Sequence, residues 1–126
     1  MQVKIDTKEK FHAITILEGH LAANMTAALD DNLLPILQND VKNVVLILKD
    51  IQNVEDAAAR SLVRIQEAFY DSGVSFVICE LRPEVEKNLE NTGLLELLNV
   101  VPTASEAGDI VQMEEVEREL LNGDDL

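Results

Sequence analysis

The sequence predicts an α/β fold: a largely parallel sheet with helical crossovers and an antiparallel hairpin at its start. Two observations carry this. The short apolar runs Val44-Val45-Leu46-Ile47-Leu48 and Val74-Ser75-Phe76-Val77-Ile78-Cys79 have the length and β-branched content of strands buried on both faces. Around them, apolar residues recur at helical spacing, so strands and helices alternate, which implies right-handed crossovers. At 126 residues and 47% hydrophobic content the chain is the size of one domain with its own core.

The elements follow in order. Val3 and Ile5 alternate with polar residues, and Phe11, Ala13-Ile14 and Ile16-Leu17 form a second β-like run. Lys8-Glu9-Lys10 is the turn between them, and Gly19 ends the pair at a corner that a residue without a Cβ turns cheaply. Asn24 is the expected N-cap of a first helix. Met25, Leu29, Leu33 and Ile36 with Leu37 share one face of it, while Asp30, Asp31 and Gln38 face away. Pro35 loosens that helix near Leu34, because proline supplies no amide proton.

The run 44–48 is the next strand, and Asp56 is expected to cap a second helix. Ala58, Leu62, Ile65 and Phe69 face inward on it, Arg60, Arg64 and Glu67 outward, and Gly73 stops it with a left-handed C-cap. The run 74–79 is a further strand. Pro83 opens a short helix carrying Val85 and Leu89, which Thr92-Gly93 ends. Leu94, Leu95, Leu97 and Leu98 make an apolar turn, and Val100-Val101 an edge strand closed by Pro102. Thr103 with Glu106 has the spacing of a capping box. Ala107, Ile110, Met113, Val116 and Leu120 continue as one stripe, expected to fold back on the core or to pack in a homodimer. Glu114, Glu115, Glu117 and Glu119 take the polar side, and residues 122–126 fray.

Composition narrows the function. Ten basic against 24 acidic residues give a net charge of −14, which repels nucleic acid and anionic membranes and suits a basic partner surface. No apolar run approaches the ~18 residues of a membrane span, so no direct membrane insertion is expected. Cys79, alone and in an apolar run, is expected to be a buried thiol in a reducing cytoplasm. Glycine-rich phosphate loops are missing. His12 and His20 have no metal-site neighbours, and the serines lack a nucleophile elbow. The pairs Asp30-Asp31 and Glu114-Glu115 lie on expected solvated faces, whereas acid–base work needs a pocket. The expectation is therefore no enzyme, no metal and no cofactor.

Three stretches carry a pattern. Gly19-His20-Leu21-Ala22-Ala23 turns a corner from a strand into a helix. Val54-Glu55-Asp56-Ala57-Ala58-Ala59 leads a buried strand into a helix N-terminus, where unpaired amides suit an acidic group. Arg82-Pro83-Glu84-Val85, then Leu89, then Thr92-Gly93-Leu94 form a proline turn, a short helix and a glycine stop.

On these residues the chain resembles the STAS family, named for sulfate transporters and anti-sigma factor antagonists, over roughly residues 2–111. In the family the third stretch reads S-P-x-V-x-x-x-L-x-x-x-G-L, and Leu98 and Ser105-Glu106-Ala107 fit it too. Gly19-His20-Leu21 resembles the family's G-x-L-D corner, with Ala22 for Asp. The resemblance implies a STAS-like mixed sheet of four to five strands with four helices packed mainly on one face. The domain would occupy 1–111, and 112–126 would extend the last helix into an acidic tail. Gly19, Pro83 and Gly93 are the fold signature.

The resemblance also implies a function and a departure from it. Anti-sigma factor antagonists read D-S-S-G or D-S-T-G in the second stretch, and the second hydroxyl is phosphorylated by the partner kinase. Here the stretch is Asp56-Ala57-Ala58-Ala59, so the phosphoacceptor position is Ala58. Ser61, one turn on, is displaced by about 4–5 Å along the axis and is a poor substitute. The alanines are readable as an unswitched binding module or as a lost partner site filled by good helix formers. The leading expectation is a protein–protein interaction module that binds an anti-sigma factor or related kinase-like regulator. Its contacts would be Asp56, Ala57, Ala58, Ala59, Arg60, Ser61 and Arg64, with the Gly19–Asn24 corner beside them. Alternatives are an accessory STAS subunit of a lipid-transport ATP-binding-cassette system, a part of a stress-sensing assembly, or a small-ligand-binding sensory domain.

Overall fold

The computed structural model describes residues 1–123; Asp124, Asp125 and Leu126 of the expected fraying tail lie outside the described residues. Five strands form the main sheet: β1 (Val3–Thr7), β2 (Phe11–Ile16), β4 (Asn43–Ile47), β6 (Phe76–Cys79) and β7 (Val100–Val101), in the order β1-β2-β4-β6-β7. Only the β1–β2 hairpin is antiparallel; β2–β4, β4–β6 and β6–β7 are parallel. Two further strands, β3 (His20–Leu21) and β5 (Asn53–Val54), pair in parallel as a separate two-stranded sheet. The helices are α1 (Thr26–Leu33), α2 (Asp56–Asp71), α3 (Pro83–Asn91) and α4 (Ala104–Gly123).

Strand alternation sends side chains to two cores. Ile14, Ile16, Val44, Leu46, Phe76 and Ile78 face the larger one, shared with α1, α2 and α3. Phe11, Val45, Val77 and Cys79 face the smaller one, closed by Ala107 and Val111 of α4. Three helices thus cover one face and α4 alone covers the other.

Local chemistry explains most boundaries. Pro35 falls in a 3₁₀ segment, Leu34–Gln38, that follows α1, as expected of a residue that removes a helical hydrogen bond. Gly73 and Gly93 adopt φ of +72° and +76° after α2 and α3, the left-handed stop that glycine adopts without steric cost. Pro83 is the first residue of α3. Thr103 Oγ1 accepts the Glu106 amide proton at 3.1 Å and caps α4. Glu80, left-handed at φ 59°, also accepts the Ala104 amide proton there through Oε2, at 3.1 Å.

Several expectations are corrected. Asn24 caps nothing: a 3₁₀ turn, Ala23–Met25, precedes α1, and the Ala23 amide donates to Glu55 Oε1 instead. Asp56 is the first residue of α2, and Glu55, with extended backbone, holds the cap position. Gly19 has no positive φ, and a Cβ there would meet nothing within 4 Å, so its corner does not depend on glycine. Asn122 and Gly123 continue α4.

The largest correction is the rotation of α4. Of the stripe expected to fold back on the core or to pack in a homodimer, Ala107 is buried, whereas Met113, Val116 and Leu120 are 62%, 49% and 61% exposed and do not fold back. Glu114 and Glu115 of the expected polar side turn toward the sheet instead, while Glu117 and Glu119 stay exposed. Ser75 Oγ donates to Glu114 Oε1 at 2.5 Å. Arg118 Nη2 donates to Glu115 Oε2 at 2.9 Å and to Asn43 Oδ1 at 3.1 Å. The physical reason lies beneath: Asn43 and Ser75 are buried polar residues at the ends of β4 and β6, and buried polar groups require partners. Burial works to raise the Glu115 pKa, yet hydrogen bonds from Arg118 and Asn43 hold it below the usual carboxylate range.

Candidate partner-binding surface

The loop before α2 is zipped to the corner before α1. Gln52 N–H donates to Gly19 O at 2.7 Å and Glu55 N–H to Leu21 O at 2.8 Å, extending the β3–β5 pairing. The Glu55 carboxylate closes the far end on Ala23 N–H at 2.7 Å. The Gly19–Asn24 corner and the second stretch therefore form one continuous ledge at the start of α2.

On that ledge Asp56 is exposed in the first turn of α2, where a carboxylate is favoured by the helix dipole. Arg60 Nε donates to Asp56 Oδ2 at 3.0 Å. One turn further, Arg64 Nη2 reaches Asp30 of α1, and Arg64 Nη1 donates to Ser61 Oγ at 3.4 Å. Acidic and basic groups are thus interleaved, and each arginine already holds a carboxylate. An open cleft of about 270 Å³ lies beside the ledge, between Glu55, Asp56 and Ala59 on one side and Asn88 of α3 with Thr92 just after it on the other.

The expected contact residues divide. Asp56, Ala57, Arg60 and Arg64 are exposed. Ala58, Ala59 and Ser61 are buried, Ala58 completely. A visiting protein does not reach these three as the domain stands, which corrects the expectation of a methyl-lined contact. The cause is the helical period: Ala58 shares a face with Leu62, Ile65 and Phe69, all in the larger core. Sequence reasoning missed Asp30 and Glu55. Glu55 stood next to the noted stretch, whereas nothing in a single sequence pairs Asp30 with Arg64 across 34 positions.

The residues weighed for chemistry sit elsewhere. His12 is buried on β2, with Nε2 donating to Val41 O at 2.8 Å and Nδ1 hydrogen-bonded with Thr7 Oγ1 at 2.9 Å. Cys79 is fully buried, and burial with Glu80 nearby pushes its thiol up to about 12. Among the described residues, no three His, Cys, Asp or Glu side chains are grouped to hold a metal ion. No helix among them is long and apolar enough to cross a membrane.

A five-stranded mixed sheet carries three helices on one face and α4 on the other, with the N-terminus of α2 on a zipped ledge. The STAS domain profile matches residues 3–107. The chain belongs to the STAS domain family.

No curated protein sequence matches it significantly. Among solved structures, an anti-sigma factor antagonist from Mycobacterium paratuberculosis superposes with a TM-score of 0.75 at 14% identity, covering 88% of this chain and 93% of that one. A serine-to-glutamate variant of RsbS from Moorella thermoacetica gives 0.74 at 20% identity, covering 94% and 99%. A chain of the stressosome, a signal integration and transduction hub, gives 0.66 at 18% identity, covering 86% and 96%. At these identities the likeness is one of fold.

Proposed function

We propose that the chain is a non-enzymatic protein–protein interaction module of the anti-sigma factor antagonist type, acting in the cytoplasm. It docks an anti-sigma factor or kinase-like regulator through Asp56, Ala57, Arg60 and Arg64, together with Glu55. One observation carries the reading: α2 opens with Asp56 exposed at its N-terminus and the Ala58 methyl sealed beneath it. On the family resemblance Ala58 stands at the phosphoacceptor position. A methyl group takes no phosphoryl group, so the surface keeps its unmodified charge, without the added −1.5 to −2 of a phosphoserine. Ala58, Ala59 and Ser61 support the ledge from below. A second reading, a part of a stress-sensing assembly, draws on the likeness to the stressosome chain and uses the same ledge.

The test uses the chain as bait in extract of its native cells. The expected catch is an ATP-binding, kinase-like regulator that transfers no phosphate to the bait. The double variant Arg60→Glu, Arg64→Glu should lose at least nine-tenths of it while circular dichroism is unchanged. Equal recovery by the variant, absence of any such regulator, or phosphate incorporation into the wild-type chain overturns the reading.

A further inference from the structure

The outer face of α4 is an apolar seam set in acid. Met113, Val116 and Leu120 recur at spacings of three and four, and on a helix of 3.6 residues per turn they lie within about 60° of one another. All three are about half exposed or more, as is Leu121 beside them. They stand opposite Val111 and Arg118, which face the sheet. Such a seam is the pattern by which one helix receives another.

The rotation of α4 is not an accident of a weak element. Its first half is held by Ala107 and Val111 on Phe11, Val45 and Val77. Its second half is held by polar bonds: Ser75 to Glu114, Asn43 and Arg118 to Glu115, and Lys10 Nζ to Glu119 at 3.1 Å. The sheet end thus takes the charged face and leaves the apolar one outside.

Charge selects the occupant. Within α4, Glu106, Asp109, Glu114, Glu115, Glu117 and Glu119 stand against the single base Arg118. Arg118 is turned inward and occupied by Asn43 and Glu115. The seam is therefore flanked by exposed Glu117 and by Glu119, which pairs with Lys10 at the sheet end, with Glu106 and Asp109 above it and no base among the exposed residues of α4. A second copy would set these carboxylates against their own kind, between two chains of net charge −14 each. A helix with an apolar seam flanked by lysine or arginine meets both the shape and the sign.

The geometry points to the outer face of α4 as a docking site for a basic amphipathic helix of another protein. The site lies across the sheet from the α2 ledge, so it is separate from the function proposed above, and both faces can be occupied together.

The probe is a synthetic three-heptad peptide with leucine at the seam positions and lysine on both flanks. Two controls accompany it: the same composition scrambled, and the same seam flanked by glutamate. Binding is read by fluorescence anisotropy at physiological salt, with the full chain. The lysine-flanked peptide should bind at least tenfold tighter than either control. That preference should vanish in Val116→Ser, Leu120→Ser and weaken in Met113→Ser; all three side chains are exposed, and circular dichroism confirms the fold. Equal binding of the scrambled peptide reduces the effect to net charge and overturns the proposal. So does a preference that survives the double variant. Concentration-dependent self-association abolished by the double variant overturns it in favour of a second copy.

Discussion

Both carboxylate oxygens of Asp30 lie 2.8 Å from Nη2 of Arg64, tying α1 to α2 at the edge of the ledge. The two side chains are 32% and 55% exposed, and pairs this open to water contribute about 0.2–1 kcal/mol. The pair therefore orients Arg64 more than it stabilises the domain. Asp30→Ala should lower unfolding stability by less than about 1 kcal/mol, and the loss should shrink as salt is raised. Urea unfolding at two ionic strengths checks this; a larger, salt-insensitive loss would show that the side chain supports packing.

Adjacent alanines on α2 should respond in opposite ways to the same charge. Ala57 is exposed in the first turn, so Ala57→Asp should be neutral or stabilising by about 0.3–1 kcal/mol through the helix dipole. Ala58 is fully buried among apolar side chains, so Ala58→Asp leaves an unpaired carboxyl in the core and should cost about 3–5 kcal/mol. Parallel urea titrations of the two variants measure the contrast. Similar stabilities would mean that the start of α2 opens readily.

The Cys79 thiol gives a dependence on alkaline pH. Its pKa rises from 9.0 to about 12 in the fold, so the unfolded chain gives up that proton first. The stability contribution is intact below the lower value and is lost as pH climbs toward the upper one. At roughly pH 10.5 the loss should amount to about 2 kcal/mol. The fall between pH 9 and 10.5 should be steeper in the wild type than in Cys79→Ala. A native thiol titration near pH 8 should also find Cys79 unreactive until urea is added.

Strong, self-contained signals were legible in the sequence. The runs that became β4 and β6 are apolar enough to be read alone, Pro35 and Pro83 act through their own ring, and Gly73 and Gly93 through the absence of a Cβ. The two-residue strands β3 and β5 were not, since two residues cannot show a period. The rotation of α4 was hidden because its inward face is chosen by Asn43 and Ser75, far off in sequence. Ala58 is the instructive case: its spacing from Leu62 and Ile65 already placed it inside. The family pattern drew it onto the surface, and the helical period was the better guide.

The β3–β5 clasp, sealed by Glu55 on Ala23, has a consequence for recognition. Two loops that would otherwise sample many shapes are held in one before anything arrives. Docking then forfeits little backbone entropy, so more of the contact energy appears as affinity. Association should proceed at the pace of two preshaped bodies meeting, about 10⁵–10⁷ M⁻¹s⁻¹, rather than waiting for a segment to settle.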